Sequence, residues 1–213
     1  MKHKYIAVEG AIGVGKTSVV TRLAERLDAV TVLEEVGQNP FLKDFYDGRG
    51  GAPFQVELFY LLSRYRQQQE LVQRNLFQQV TLSDYVFDKS KLFAYLTLDD
   101  NELLIYDKLY GLLAESVPAP DLVVYLQAPT EVLLRRIRQR GRPEEEALAE
   151  EYLAEVNRAY NHFFFHYSQT PLLVVNTSEV DFVHRDEDLE DLLKQIRGMG
   201  RGTQYYVPLA GRA

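Results

Sequence analysis

The run Gly10-Ala11-Ile12-Gly13-Val14-Gly15-Lys16-Thr17-Ser18 carries the pattern G-x-x-x-x-G-K-[ST] in full. Glycines at these points let the backbone turn so that several N–H groups face one concavity. The N-terminus of a following helix adds partial positive charge to it. Such a cradle binds the phosphates of a nucleoside triphosphate. Lys16 is placed to reach the β- and γ-phosphates, and Thr17 to offer its hydroxyl to Mg²⁺. A chance glycine-rich turn would lack the setting found here, a strand-like run before the motif and an amphipathic helical pattern after it.

Acids stand where an acceptor would meet that cradle. Glu34 and Glu35 follow a second strand-like segment, and Asp84 closes a third in Leu82-Ser83-Asp84-Tyr85. In a parallel sheet, ligands bind beyond the carboxyl ends of the strands. A carboxylate there can accept a hydrogen bond from an attacking hydroxyl or help hold a metal ion. The plainer readings are surface acids for Glu34 and Glu35 and a helix N-cap for Asp84, the latter compatible with a metal role. Neither strand end carries arginine. An enzyme whose acceptor is itself a phosphate would be expected to place arginine there for bidentate binding. Carboxylates suit a neutral hydroxyl acceptor instead.

Further along, Arg135, Arg136, Arg138, Arg140 and Arg142 crowd one stretch, which Gly141 and Pro143 break and Glu144 and Glu145 follow. Arg136 and Arg140 are four apart and share a helical face. A mobile segment of this kind can close over a nucleotide and stabilise charge on a transferred phosphoryl group. Its plain alternative is a solvated basic helix end.

The elements that must position these groups alternate in type. Residues 5–8, 31–33, 80–82, 122–126 and 172–175 read as short strands. Helical patterns fill 17–27, 54–75, 103–116, 130–140, 144–167 and 186–197. This predicts an α/β fold with a five-stranded parallel sheet and helices on both faces. One domain is expected over 1–197, followed by a glycine-rich tail at 198–213 whose aromatic residues either float or dock.

Composition narrows the class. The net charge of -7 argues against a polyanion-binding surface, and the absence of cysteine excludes disulfides, thiolate metal sites and cysteine nucleophiles. No apolar run approaches the ~20 residues of a membrane span. Met1-Lys2-His3-Lys4 leads directly into the first strand, so no signal peptide and a cytoplasmic location are expected.

Five blocks together resemble the deoxyribonucleoside kinases, most of all the bacterial deoxyguanosine and deoxyadenosine kinases. They are residues 10–18; residues 34–42; Pro53, Phe54 and Gln55 with Phe59 and Arg64; Ser83, Asp84 and Tyr85; and residues 136–145. The resemblance implies ATP and Mg²⁺ as cofactors, a deoxynucleoside as substrate and a homodimer. It makes Glu34 the base near the 5′-hydroxyl and Gln55 the partner of the nucleobase. Tyr46 and Glu145 become the grip on the 3′-hydroxyl, and Arg136, Arg140 and Arg142 the arginines around the phosphates.

Tyr85 departs from the family, much of which has arginine after the strand-three acid; Lys89 is the nearby source of the missing charge. Asp88 and Ser90 fall where the family tunes base choice. Arg64, nine residues beyond Gln55, is half a turn out of phase with it, so the base pocket is assigned to Gln55.

The expected reaction is phosphorylation of the 5′-hydroxyl of a purine deoxyribonucleoside, either deoxyguanosine or deoxyadenosine. Lys16, Arg136 and Arg140 would stabilise transferred charge, Asp84 would share base or metal duty with Glu34 or Thr17, and Tyr85, Ser90 and Gln55 would line the substrate. A nucleoside-monophosphate kinase of the same fold is disfavoured by Glu34 and Asp84. An inactive kinase-like subunit is disfavoured by the intact Gly15-Lys16-Thr17. Neither a nucleic-acid polymer nor a membrane is expected as a partner.

Overall fold

Apolar runs buried on both faces build the centre of the molecule. The computed structural model describes residues 2–73, 79–142, 145, 148–182 and 185–208. β1 (Tyr5–Glu9), β3 (Thr81–Ser83) and β4 (Leu122–Gln127) are buried almost throughout, as is β5 (Leu172–Asn176). Strands so covered need no polar alternation, which is why they read as continuous hydrophobic segments. β2 (Val30–Val32) and β6 (Thr203–Tyr206) are the edges, and the order is β2-β3-β1-β4-β5-β6 with every pairing parallel.

The sheet therefore has six strands, one more than the sequence pattern predicts. The sixth comes from the glycine-rich stretch after residue 198. Its backbone pairs with β5 while Thr203, Gln204 and Tyr205 stay exposed, so it shows no apolar signature.

Helices cover both faces. α1 (Lys16–Leu27) turns Val19, Val20, Leu23 and Ala24 inward, and α8 (Asp186–Gly198) buries Leu189, Leu192, Leu193 and Ile196. α6 (Thr130–Arg140) and α7 (Glu150–Phe165) add Leu133, Ile137, Leu153, Val156 and Phe164 to the same core. A second cluster joins α3 (Ala52–Gln73), α4 (Lys89–Thr97) and α5 (Asp100–Ala114) through Leu61, Ala94, Tyr106 and Tyr110. α5 starts at a capping box made by Asp99 and Glu102.

The short helices α2 (Leu42–Tyr46) and α4 carry little periodic signal and were not expected from the sequence. The predicted helices over 54–75 and 144–167 appear as α3 and α7; residues 74 and 75, Pro143 and Glu144 lie outside the described residues.

Candidate active site

The glycine-rich loop joins β1 to α1, at the point where the strand order reverses around β1. That is where an open α/β sheet opens a crevice. Two glycines are demanded by packing. A Cβ on Gly10, whose φ is +153°, would lie 2.4 Å from the Leu126 carbonyl oxygen. One on Gly13, at φ +84°, would lie 2.6 Å from Ile137. β4 and α6 thus clamp the loop from behind. Below it Glu9, fully buried, accepts the N–H groups of Gly10 and Val86, both at 3.0 Å. Burial raises the Glu9 pKa.

Lys16 folds across the loop and donates to the carbonyls of Gly10 (2.7 Å) and Ala11 (3.2 Å). Burial and the nearby Lys89 charge lower its pKa to about 8, against the pull of Glu9, Glu34 and Asp84. Asp84, at the end of β3, links this loop to the acceptor side. One of its oxygens accepts the Thr17 hydroxyl and the other the Glu34 backbone N–H, each at 2.7 Å.

Glu34 sits in a cluster of opposite charges. Arg64 donates to its Oε1 from Nε (2.8 Å) and Nη2 (2.5 Å), and Lys89 Nζ to its Oε2 (2.6 Å). Burial pushes the Glu34 pKa up, but the two cations and their hydrogen bonds outweigh it and hold the carboxyl well below its usual range. Lys89 thereby stands where positive charge was sought in place of Tyr85.

These groups share one cleft of about 700 Å³. Lys16, Thr17, Glu34, Asp84, Arg64 and Lys89 line one part of it. Val56, Glu57, Tyr60, Phe93 and Tyr152 also wall it, with Tyr46 from α2. Arg140, Arg142 and Glu145 line it as well, and Arg140 is ion-paired with Glu145.

Not every expected residue arrives there. Gln55 is exposed and does not line the cleft, because helical phase turns its neighbours Val56 and Glu57 inward instead. Tyr85 is fully buried behind β3; its hydroxyl donates to Gln67 (2.8 Å) and accepts from Gln68 (3.3 Å). Ser90 is also buried, accepting from Arg64 Nη1 at 2.8 Å, so it reaches the cleft only through Arg64. Asp88 accepts the Tyr110 hydroxyl at 2.7 Å.

Arg136 leaves its helical partner Arg140 and turns under the loop. It donates to the carbonyls of Val14 (3.3 Å) and Thr177 (2.5 Å), fixing α6 against loop and sheet. Ser18 is exposed at the first turn of α1.

Glu57 is the residue that sequence reasoning passed over, and Arg64 the one it named but set aside for its phase with Gln55. Their spacing of seven, two helical turns, was the available signal.

Taken as chemistry, the site offers amides and a lysine for phosphates, hard oxygens for a cation, and a carboxylate held at the wall of a nucleoside-sized cleft. That combination defines a P-loop phosphotransferase. The comparisons with known proteins narrow the class: the chain belongs to the deoxynucleoside kinase family, whose model matches residues 6–199. It is a transferase and a kinase of deoxynucleosides.

Deoxyguanosine kinase of Bacillus subtilis (strain 168) is 33% identical over 91% of this chain and 96% of its own. Deoxyadenosine kinase of Dictyostelium discoideum is 36% identical over 99% of this chain and 86% of its own. The solved structure of deoxyadenosine kinase from M. mycoides, with products dCMP and a flexible dCDP bound, shares the fold. It matches with a TM-score of 0.78 at 22% identity, over 91% of this chain and 98% of that one. Among the described residues no helix is long and apolar enough to cross a membrane.

Proposed function

We propose that this kinase transfers the γ-phosphoryl group of Mg-ATP to the 5′-hydroxyl of a purine 2′-deoxyribonucleoside. The observation that carries the reading is Glu34. An anionic carboxylate is held by Arg64 and Lys89 and tied through Asp84 to Thr17 of the phosphate loop. A hydroxyl bound against Glu34 would lie beside the phosphate cradle, and little motion would separate acceptor from donor. The loop amides from Gly10 to Ser18 and Lys16 would bind the donor phosphates, with Arg140 and Arg142 closing from above. Glu34 would orient the 5′-hydroxyl and receive its proton. Because transition states of this reaction are loose, a carboxylate of low basicity suffices for that task. Arg136 acts by holding α6 to the loop.

The residues fit a magnesium ion. The Thr17 hydroxyl and an Asp84 oxygen lie 2.7 Å apart, two hard oxygen donors of the kind that ion takes alongside phosphates and water. Bound there, Mg²⁺ would neutralise phosphate charge.

Purine selectivity is supported by the cleft's wide aromatic and apolar wall at Val56, Tyr60, Phe93 and Tyr152. The deoxyguanosine and deoxyadenosine kinases among the relatives support it too. Tyr46 and Glu145, which line the same cleft, are assigned to the 3′-hydroxyl. A homodimer is supported by Leu104, Ile105 and Leu112 of α5 and Leu62 of α3, all large apolar side chains at least half exposed.

A panel assay of ATP consumption tests the reading. Purine deoxynucleosides should turn over and their 5′-monophosphates should not. Faster turnover of monophosphates would assign the acceptor site to a phosphate and overturn it.

A further inference from the structure

Glu57 stands on the same face of α3 as Arg64, two helical turns or ~11 Å before it. Arg64 meets Glu34, where the 5′-hydroxyl is placed, so Glu57 faces the cleft about one nucleoside length away. The side chain is 3% exposed, and its Oε2 has no hydrogen-bond partner. Arg64 does not serve it, being turned to Glu34 and Ser90. A buried polar atom left unmatched is costly, and a ligand that brings the missing donors removes that cost on binding. Tyr60, Phe93 and Tyr152 line the same cleft and offer flat surfaces to a planar base.

An ionised carboxylate has acceptors only. Guanine presents two adjacent donors on one edge, N1–H and the exocyclic amine. Adenine and cytosine present an amine beside a ring nitrogen lone pair, which would face a carboxylate oxygen. We propose that Glu57 is the specificity-determining residue, its carboxylate pairing with the N1–H and amine of guanine, so that the enzyme prefers 2′-deoxyguanosine to 2′-deoxyadenosine. This rests on the reading of the cleft as a deoxynucleoside site and names the base it selects.

The preference depends on pH. Burial raises the Glu57 pKa to about 7; Arg64 and Lys89 oppose the shift and Glu34 adds to it. Tyr106 of α5 and Tyr152 of α7 also interact with it, and burial lifts both above the usual tyrosine range, so they stay neutral. Protonated Glu57 offers one donor and one acceptor, the complement of adenine. Selectivity for guanine should therefore rise with pH across neutrality. Lys16, lowered to about 8, acts on the phosphate donor shared by both reactions and cancels in the ratio.

The test measures kcat/KM for 2′-deoxyguanosine and 2′-deoxyadenosine at pH 6 and pH 8, in the wild type and in Glu57→Gln. The wild-type ratio should rise roughly tenfold or more over that interval, following the ionised fraction of a group near pH 7. In Glu57→Gln the ratio should be independent of pH and shifted toward deoxyadenosine. A flat wild-type ratio, or a glutamine variant that keeps the wild-type ratio and slope, would overturn the proposal. The wild-type profile decides even where the variant does not fold. Failure to phosphorylate either nucleoside would instead reject the deoxynucleoside site itself, and the inference with it.

Discussion

Glu34 engages two cations at once, and this sets what its removal should do. Its side chain is 11% exposed, and those of Arg64 and Lys89 are 3% and 7% exposed. Breaking a buried pair from one side strands the remaining charges, which costs ~3–5 kcal/mol in comparable sites. Glu34→Gln keeps the volume and part of the hydrogen bonding but removes the anion. We expect kcat to fall by ~10²-fold or more, the range for a lost general base, with ATP affinity little changed because Glu34 touches no loop amide. Steady-state kinetics with an ATP-binding measurement check this; an unaltered kcat would remove Glu34 from the chemistry. Glu34, Asp84 and Lys16 were legible in the sequence because each sits at a strand end or inside a contiguous motif. Glu57 was not. Choosing between Gln55 and Glu57 requires the rotational setting of α3, and a mixed stretch such as Phe54-Gln55-Val56-Glu57-Leu58-Phe59-Tyr60 has no clean polar face to define it. Arg64 was set aside for being out of phase with Gln55. The phase argument was sound, but the residue off the face is Gln55.

Elements carry the next level of function, since α2 and the segment after α6 bring Tyr46 and Glu145 to one cleft from distant parts of the chain. Arg140 holds Glu145 there through an ion pair in the present arrangement. If both side chains bind the 3′-hydroxyl, a 2′,3′-dideoxynucleoside leaves them unmatched, at a cost of ~1–3 kcal/mol in transition-state binding. Energy from that remote contact also helps closure, so kcat should fall as KM rises. In Glu145→Ala the penalty for deleting the hydroxyl should shrink. Measuring kcat/KM for the four enzyme–substrate combinations tests the coupling, and additive losses would return Glu145 to the role of a partner for Arg140 alone. The strands and long helices that position these groups were legible because burial on two faces, or on one helical stripe, imposes its own period. β6 was not, since an edge strand with three exposed side chains needs only its backbone to join the sheet. α4 was also hidden. Lys89 and Ser90 are buried in its first turn by ion pairing and hydrogen bonding rather than by apolar contact.

At the scale of the whole molecule, a buried acid kept for recognition should weaken the fold that holds it. The Glu57 pKa rises from 4.5 to about 7 on folding. Below about pH 4.5 the carboxyl is neutral in both folded and unfolded chains and costs nothing. As pH climbs toward 7 the unfolded chain is already ionised while the folded one still holds its proton. Stability from this group is therefore lost progressively, reaching on the order of 3 kcal/mol above neutrality. Glu34 works in the opposite sense: its carboxyl is held low, so its contribution is present above the usual carboxylate range and is lost only as pH falls below it. The two effects occupy different windows and can be separated by thermal unfolding. Without added nucleoside, Glu57→Gln should have a higher Tm than the wild type at pH 8, and the difference should fade toward pH 5. A difference that stays constant with pH would show that Glu57 keeps the same ionisation on folding. Added 2′-deoxyguanosine should narrow the gap at pH 8, because its two donors satisfy the wild-type carboxylate, whereas the neutral glutamine has no unmatched charge for them to relieve. The instability of the unliganded site and its selectivity for the base then have one origin, a buried carboxylate whose Oε2 has no donor of its own.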